Sequence, residues 1–307
     1  MGRPNGPYAG AMTAPSWQIR EHRIADAHAG PSGVAATRDG AVWTTLIRGA
    51  AVVRRDPDGS FATIPLGDGS EPSLLTAATE DSVWVTDTAG NRILRVGPEG
   101  IRGSTAVPTP GARPFGIAAA ASGEVWFTEM GADALGRIGI LGHVDEFTAG
   151  ADGGMVSMVA CEGESVWFTL NQADAIGYIR GGNSAVTVVR LPTHGAAPVG
   201  ITVATDGAAW FTEIGAGQIG RVDRDGTVTE FPLPDRSGKP HAIAADPTGG
   251  CWFTLWGSNQ VGFIDADGRI ELTGLPTPAS EPHGLAVAAD GGVWVALETG
   301  YLAELRR

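Results

Sequence analysis

The chain has 307 residues, 43% of them hydrophobic, a formal net charge of −13 and a single lysine, Lys239. That length holds one or two ordinary domains with a sizeable core. The acidic balance argues against nucleic acid as a partner, since a phosphate backbone needs clustered Lys and Arg, and no apolar run reaches membrane-spanning length.

Met1 to Ser16 is rich in Gly, Pro and Ala and lacks an apolar signal core. It reads as a flexible tail, residues 1–16, on a cytoplasmic protein. Trp17 to Ile24 (WQIREHRI) alternates as a strand does. From there a tryptophan returns at Trp43, Trp84, Trp126, Trp167, Trp210, Trp252 and Trp294, with gaps of 41, 42, 41, 43, 42 and 42. One unit copied seven times at that period predicts a propeller blade of four antiparallel strands. The fold class is therefore all-β, a seven-bladed β-propeller spanning residues 17–307.

The fifth copy, Pro198 to Pro234, is the clearest. Gly200–Ala204, Ala208–Glu213, Gln218–Asp223 and Thr227–Leu233 read as four strands, separated by Gly-containing turns. The tryptophans and the aromatic after them are expected to pack between blades. The last copy stops after its third strand, so Trp17–Ile24 is expected to complete blade seven and close the ring. Cys161 and Cys251 lie two copies apart and read as free thiols. A closed ring of this kind reads as a monomer.

The positions where the copies differ point to function. Eleven residues before each tryptophan the series reads Ser32, Ser73, Phe115, Val156, Val199, His241, His283. This position opens the first strand and should stand at one mouth of the channel. The second strand returns antiparallel, so the residue four after each tryptophan should reach the same mouth; in copies six and seven it is Trp256 and Glu298. Glu281 lies on the loop entering blade seven. His241, Glu281, His283 and Glu298 are thus expected to converge. Two carboxylates offer hard oxygen ligands to a divalent cation such as Mg2+, which keeps several waters. A neighbouring histidine suits a general base near neutral pH. The pairing suits removal of a proton α to a carbonyl. Asp87, Glu129 and Glu213, three after their tryptophans, read as rim charges or hydrogen-bond partners.

The repeated GI, VWFTE, IGRI and EF-x-LP segments, with Pro240-His241-Ala242-Ile243 and Glu281-Pro282-His283-Gly284, resemble the streptogramin B lyases, also called virginiamycin B lyases. The resemblance covers nearly the whole chain. It implies a magnesium-dependent lyase that linearises cyclic depsipeptide lactones by β-elimination at a threonine ester. It implies His283 as catalytic base, Glu281 and Glu298 as magnesium ligands, and His241, Trp256 and Ser32 as substrate contacts. Three departures stand out. Ser32 replaces a tyrosine, Phe115 stands where a phenol is expected, and Phe253-Thr254-Leu255 lacks the common Glu. Two other readings are a metal-dependent propeller lactone hydrolase and a non-catalytic binding propeller. The hydrolase type draws on a set of channel asparagines, and no such set stands at the rim positions.

Overall fold

The computed structural model describes residues 17–79, 81–181 and 185–306. Seven four-stranded antiparallel sheets surround a central channel, and the first strands of neighbouring blades pack side by side around the ring. Six blades take their strands in sequence order. The seventh combines Pro282–Val287, Val293–Leu297 and Tyr301–Arg306 with the N-terminal strand Gln18–Arg23 outermost. Gln18 pairs with Arg306 and Arg23 with Tyr301. The expected closure is present, and it covers an edge that would otherwise be an open template for pairing. The expected tail, residues 1–16, lies outside the described residues. Among the described residues no helix is long and apolar enough to cross a membrane. Cys161 and Cys251 are free.

Alternation along each second strand sends the tryptophan to one face and its successor to the other. The tryptophan packs forward: Trp126 shares a cluster with Phe168 of the next blade, Trp167 with Phe211, and Trp210 with Phe253. Each of these phenylalanines also needs a hollow in its own blade. Phe127, Phe168, Phe211 and Phe253 lie directly across from Gly136, Gly177, Gly220 and Gly262. A Cβ on those glycines would come within 1.9 to 2.2 Å of the ring. Where the aromatic is absent, so is the glycine: Thr44, Val85 and Val295 face Val53, Leu94 and Ala303. Volume is balanced pair by pair, as a close-packed interior requires.

Threonines tie the blades together. Thr45, Thr86, Thr128, Thr169, Thr212 and Thr254 each follow their tryptophan by two residues. Each hydroxyl accepts a backbone N–H from the first strand of its own blade, at 2.7 to 3.0 Å. Each also donates to a first-strand carbonyl of the next blade, at 2.7 to 2.9 Å. These bonds satisfy backbone groups that burial would otherwise leave unpaired. The seventh such position is Ala296.

Just inside the mouth the residues alternate in size: Gly33, Leu74, Gly116, Met158, Gly200, Ala242, Gly284. A Cβ on Gly33, Gly116 or Gly200 would lie 3.0, 2.9 or 3.0 Å from the Cα of Leu74, Met158 or Ala242. Between blades seven and one, Gly284 meets Gly33 instead.

Asp87, Glu129 and Glu213, read as rim charges or hydrogen-bond partners, are fully buried, and Asp87 and Glu213 are hydrogen-bond partners. Asp87 pairs with Arg92 Nε at 2.8 Å, and Glu213 accepts from Gln218 Nε2 at 2.7 Å. Neither oxygen of the Glu129 carboxyl finds a hydrogen bond of ordinary geometry. Burial, reinforced by the nearby Glu146, pushes the Glu129 carboxyl up to about 7, and burial does the same for Glu213.

Candidate active site

The rim register read from the sequence holds in six blades. There the tryptophan pairs with the residue eight earlier, as Trp43 does with Ala35 and Trp294 with Ala286. In blade four the first turn is one residue shorter, and Trp167 pairs with Ala160, seven earlier. The rim residue of that blade is therefore Ser157, not Val156. Thr128 donates to the Ser157 carbonyl as Thr212 does to that of His241.

His241 and His283 stand edge to face on adjacent blades, ring centroids 5.0 Å apart. Their backbones are fixed by Thr212 and Thr254, which donate to their carbonyls at 2.7 and 2.8 Å. His283 Nε2 lies 3.1 Å from Glu298 Oε2, and Arg48 Nη1 donates to Glu298 Oε1 at 2.8 Å. Glu281 lies beside Glu298, close enough for each carboxyl to shift the other. His241, Glu281, His283 and Glu298 are thus brought together.

Partial burial alone would raise the Glu298 carboxyl, but hydrogen bonds from His283, Glu281 and Arg48 outweigh it and hold the group down at about 2. Glu298 is ionised and can only accept. In the neutral form of the His283 ring, Nε2 then carries the hydrogen toward Glu298 and the other ring nitrogen keeps its lone pair. Glu281 is shifted the opposite way, upward, because its hydrogen bond with Glu298 favours its protonated form. His241 is lowered to about 3, mainly by burial and further by the neighbouring His283 ring, so it is neutral at neutral pH. Its Nδ1 is buried without a partner.

The surroundings are stiff. Glu281 has a left-handed backbone, φ 48°, a corner it shares with Arg113, Ala197 and Lys239 before their prolines. Its loop is pinned at Thr277, whose amide and hydroxyl donate to the Glu21 carboxylate at 3.1 and 2.5 Å. Ser280 donates through N and Oγ to Asn259 Oδ1 at 2.8 and 2.6 Å, and its carbonyl accepts from the amide of Glu298 at 2.9 Å. The Lys239 ammonium sits 4.8 Å from the Trp256 ring centre, a cation–π contact that fixes the indole. The Trp256 N–H makes no hydrogen bond of ordinary geometry but lies close enough to Glu281 to favour its charged form.

The histidines border a cavity of about 250 Å³ at the channel mouth. Ser32 from blade one lies on the same polar arc as His241 and His283. The opposite arc is apolar, with Leu74, Phe115, Met158 and Ile201. Glu281, Glu298 and Trp256 stand on the loops beside this cavity and are not part of its lining. Arg48 escaped the sequence reading. Five residues after the tryptophans the chain reads Arg48, Ala89, Gly131, Gln172, Gly215, Gly257, Thr299, and Arg48 is the one charged residue in that column.

A propeller that gathers two histidines and two carboxylates at a channel mouth has the layout of an acid–base enzyme. Comparison with known proteins narrows the class. Residues 17–305 match the Virginiamycin B lyase family, and the chain belongs to that family. A virginiamycin B lyase from Nocardia farcinica is 41% identical over 210 residues, 67% of this chain and 71% of that relative. The crystal structure of selenomethionine-substituted virginiamycin B lyase from Staphylococcus aureus superposes with a TM-score of 0.90 at 32% identity, covering 95% of this chain and 100% of that one. A catalytically inactive variant of the same S. aureus enzyme, crystallised with quinupristin, matches with the same TM-score of 0.90 and the same coverage. The chain is an enzyme of the lyase class.

Proposed function

We propose that this enzyme inactivates streptogramin B antibiotics by opening their macrocyclic ester through β-elimination at threonine. The observation that carries the reading is the 3.1 Å contact of His283 Nε2 with ionised Glu298 at the cavity mouth. Glu298 orients the ring and stabilises the imidazolium that forms when the base takes a proton. The ring nitrogen not engaged by Glu298 removes the α-proton of the threonine. The electrons of that C–H bond form the Cα=Cβ double bond, the Cβ–O bond breaks, and the ester oxygen leaves as a carboxylate. His283 then releases its proton to solvent. No water is consumed and no serine or cysteine nucleophile is needed.

Glu281 and Glu298 would hold a magnesium ion. The donor chemistry fits: two adjacent carboxyls can share a cation, and a sparse oxygen set suits an ion that keeps several waters. Among the described residues no group of three or more His, Cys, Asp or Glu side chains is arranged to hold a metal ion, so the two carboxyls would be the protein's own share of such a site. When bound, the ion supplies positive charge against the developing enolate oxygen. Neutral His241 and the unpaired Trp256 N–H offer substrate contacts on one side. Ser32 supplies a hydroxyl without a phenol ring, and Phe115 supplies a ring without a hydroxyl. The pocket therefore takes a cyclic depsipeptide with an apolar group turned toward Phe115.

Mass spectrometry of quinupristin incubated with the protein and magnesium tests this. A ring-opened product of unchanged mass, recognised by its fragmentation, is the expected result. A product heavier by one water would mean hydrolysis, and unchanged substrate would mean that this antibiotic is not turned over.

A further inference from the structure

The junction between blades seven and one is built differently from the other six. Its threonine is replaced by Ala296, so no hydroxyl joins the Gly284 amide to the Ser32 carbonyl. The backbones still approach as closely as elsewhere. A Cβ on Gly284 would lie 2.3 Å from Ser32 O, against 2.6 Å from Ser157 O for Gly116 and 2.5 Å from His241 O for Gly200. The side-chain tie stands higher, at the rim, where Arg48 of blade one reaches Glu298 of blade seven.

Arg48 is itself anchored. Its Nε donates to the His28 carbonyl at 2.8 Å. Its guanidinium carbon lies only 2.9 Å from where a Cβ of Gly30 would be, and Gly30 has φ +66°. The glycine both makes the turn and leaves the guanidinium room to lie against the chain. A planar fork holds a carbonyl with one nitrogen and a carboxylate oxygen with another at a fixed spacing, which the single nitrogen of an ammonium does not reproduce.

We propose that Arg48 is a positioning residue for the elimination. It grips Oε1 of Glu298 from the neighbouring blade and so presents Oε2 to His283. A glutamate side chain has three rotatable bonds, and contacts to an imidazole and to the flexible Glu281 side chain leave it free to swing. The anchored guanidinium contact fixes the plane of the carboxylate and, through it, the plane of the base. The inference rests on His283 acting as the base.

The test compares wild type with Arg48→Met and Arg48→Lys in three measurements: kcat and KM on quinupristin, the side-chain ¹⁵N and ¹H resonances of His283 at one fixed pH, and the melting temperature. Expected for Arg48→Met is a fall in kcat of about 10–100-fold, the usual effect of removing a partner that orients a site group. KM should change little, and the His283 ring resonances should shift. Arg48→Lys keeps the charge and should recover only part of the rate. Free guanidinium added to Arg48→Ala should restore some activity, which a purely structural role would not allow. Wild-type kcat together with unmoved His283 resonances in Arg48→Met overturns the proposal. If Arg48→Met does not fold, full activity in Arg48→Lys overturns it instead. If wild type itself opens no ring, the functional reading fails, and the His283 resonances still decide whether Arg48 sets that contact.

Discussion

His283 Nε2 and Glu298 Oε2 lie 3.1 Å apart because the second strand of blade seven runs back antiparallel to the first and ends where the first begins. The contact joins the proposed base to its orienting anion on one hairpin. Glu298→Gln keeps the shape and removes the charge. Its kcat is expected to fall about 100-fold or more, within the range for disabling general-base catalysis. His283→Ala should abolish turnover. Both variants should melt near the wild-type temperature, since the residues line a mouth and not the core. Steady-state kinetics and circular dichroism melts check this, and loss of folding in His283→Ala would contradict the placement.

Glu129 and Glu213 make stability depend on pH. Both carboxyls are raised to about 7 from an ordinary value of 4.5. The folded state therefore binds more protons than the unfolded state between these values, and stability falls as pH rises through the window. The contribution is fully present below pH 4.5 and lost above about 7. The Glu129→Gln, Glu213→Gln double variant should show a flatter dependence of melting temperature on pH than wild type. Thermal melts between about pH 5 and 8 decide it, and parallel curves for the two proteins would count against buried protonation.

Ala296→Thr restores at the seventh junction the hydroxyl that the other six possess. The backbone spacing there matches theirs, so the new hydroxyl should bond both Gly284 N–H and Ser32 C=O. A gain of about 1 kcal/mol is expected, the usual net worth of a hydrogen bond. Thr128→Val removes such a tie and should cost about 1–3 kcal/mol by stranding a buried amide and carbonyl. Urea titrations of both variants measure the two effects. A destabilised Ala296→Thr would show the junction to be too tightly packed for a threonine.

Gly136→Val drives a side chain into the Phe127 ring and should destabilise by about 1–3 kcal/mol. Adding Phe127→Val reproduces a pairing of the Val85–Leu94 kind found in blade two. The double variant should be less damaged than the sum of the single changes, a coupling expected of residues in contact. Denaturation midpoints of the three proteins supply the cycle, and strict additivity would refute the pairing.

The repeat was legible because one bulky residue marks each copy at a nearly fixed interval, and closure by Gln18–Arg23 followed from a last copy that lacked a strand. The histidine pair was legible because both members share one column with the rim residues of the other blades. Val156 was misassigned because counting back from Trp167 assumes an equal turn, and the turn before Ser165 is one residue shorter. Of the residues read as rim charges or hydrogen-bond partners, Glu213 is a partner of Gln218, whereas Glu129 is buried and is neither; residue type suggests solvent and does not show burial at the end of the second strand. Arg48 was invisible to a search of only two columns. Its partner lies 250 residues away, and only the closed ring makes them neighbours.

A strict alternation of small and large inner residues cannot be completed in a ring with an odd number of members. One junction must join two of the same kind, and in this chain it joins Gly284 to Gly33, directly beside His283. Both glycines border the cavity. The parity of the copy number thus leaves a notch with no side chain on either wall, next to the proposed base. A six- or eight-membered ring with the same pattern would have no such notch.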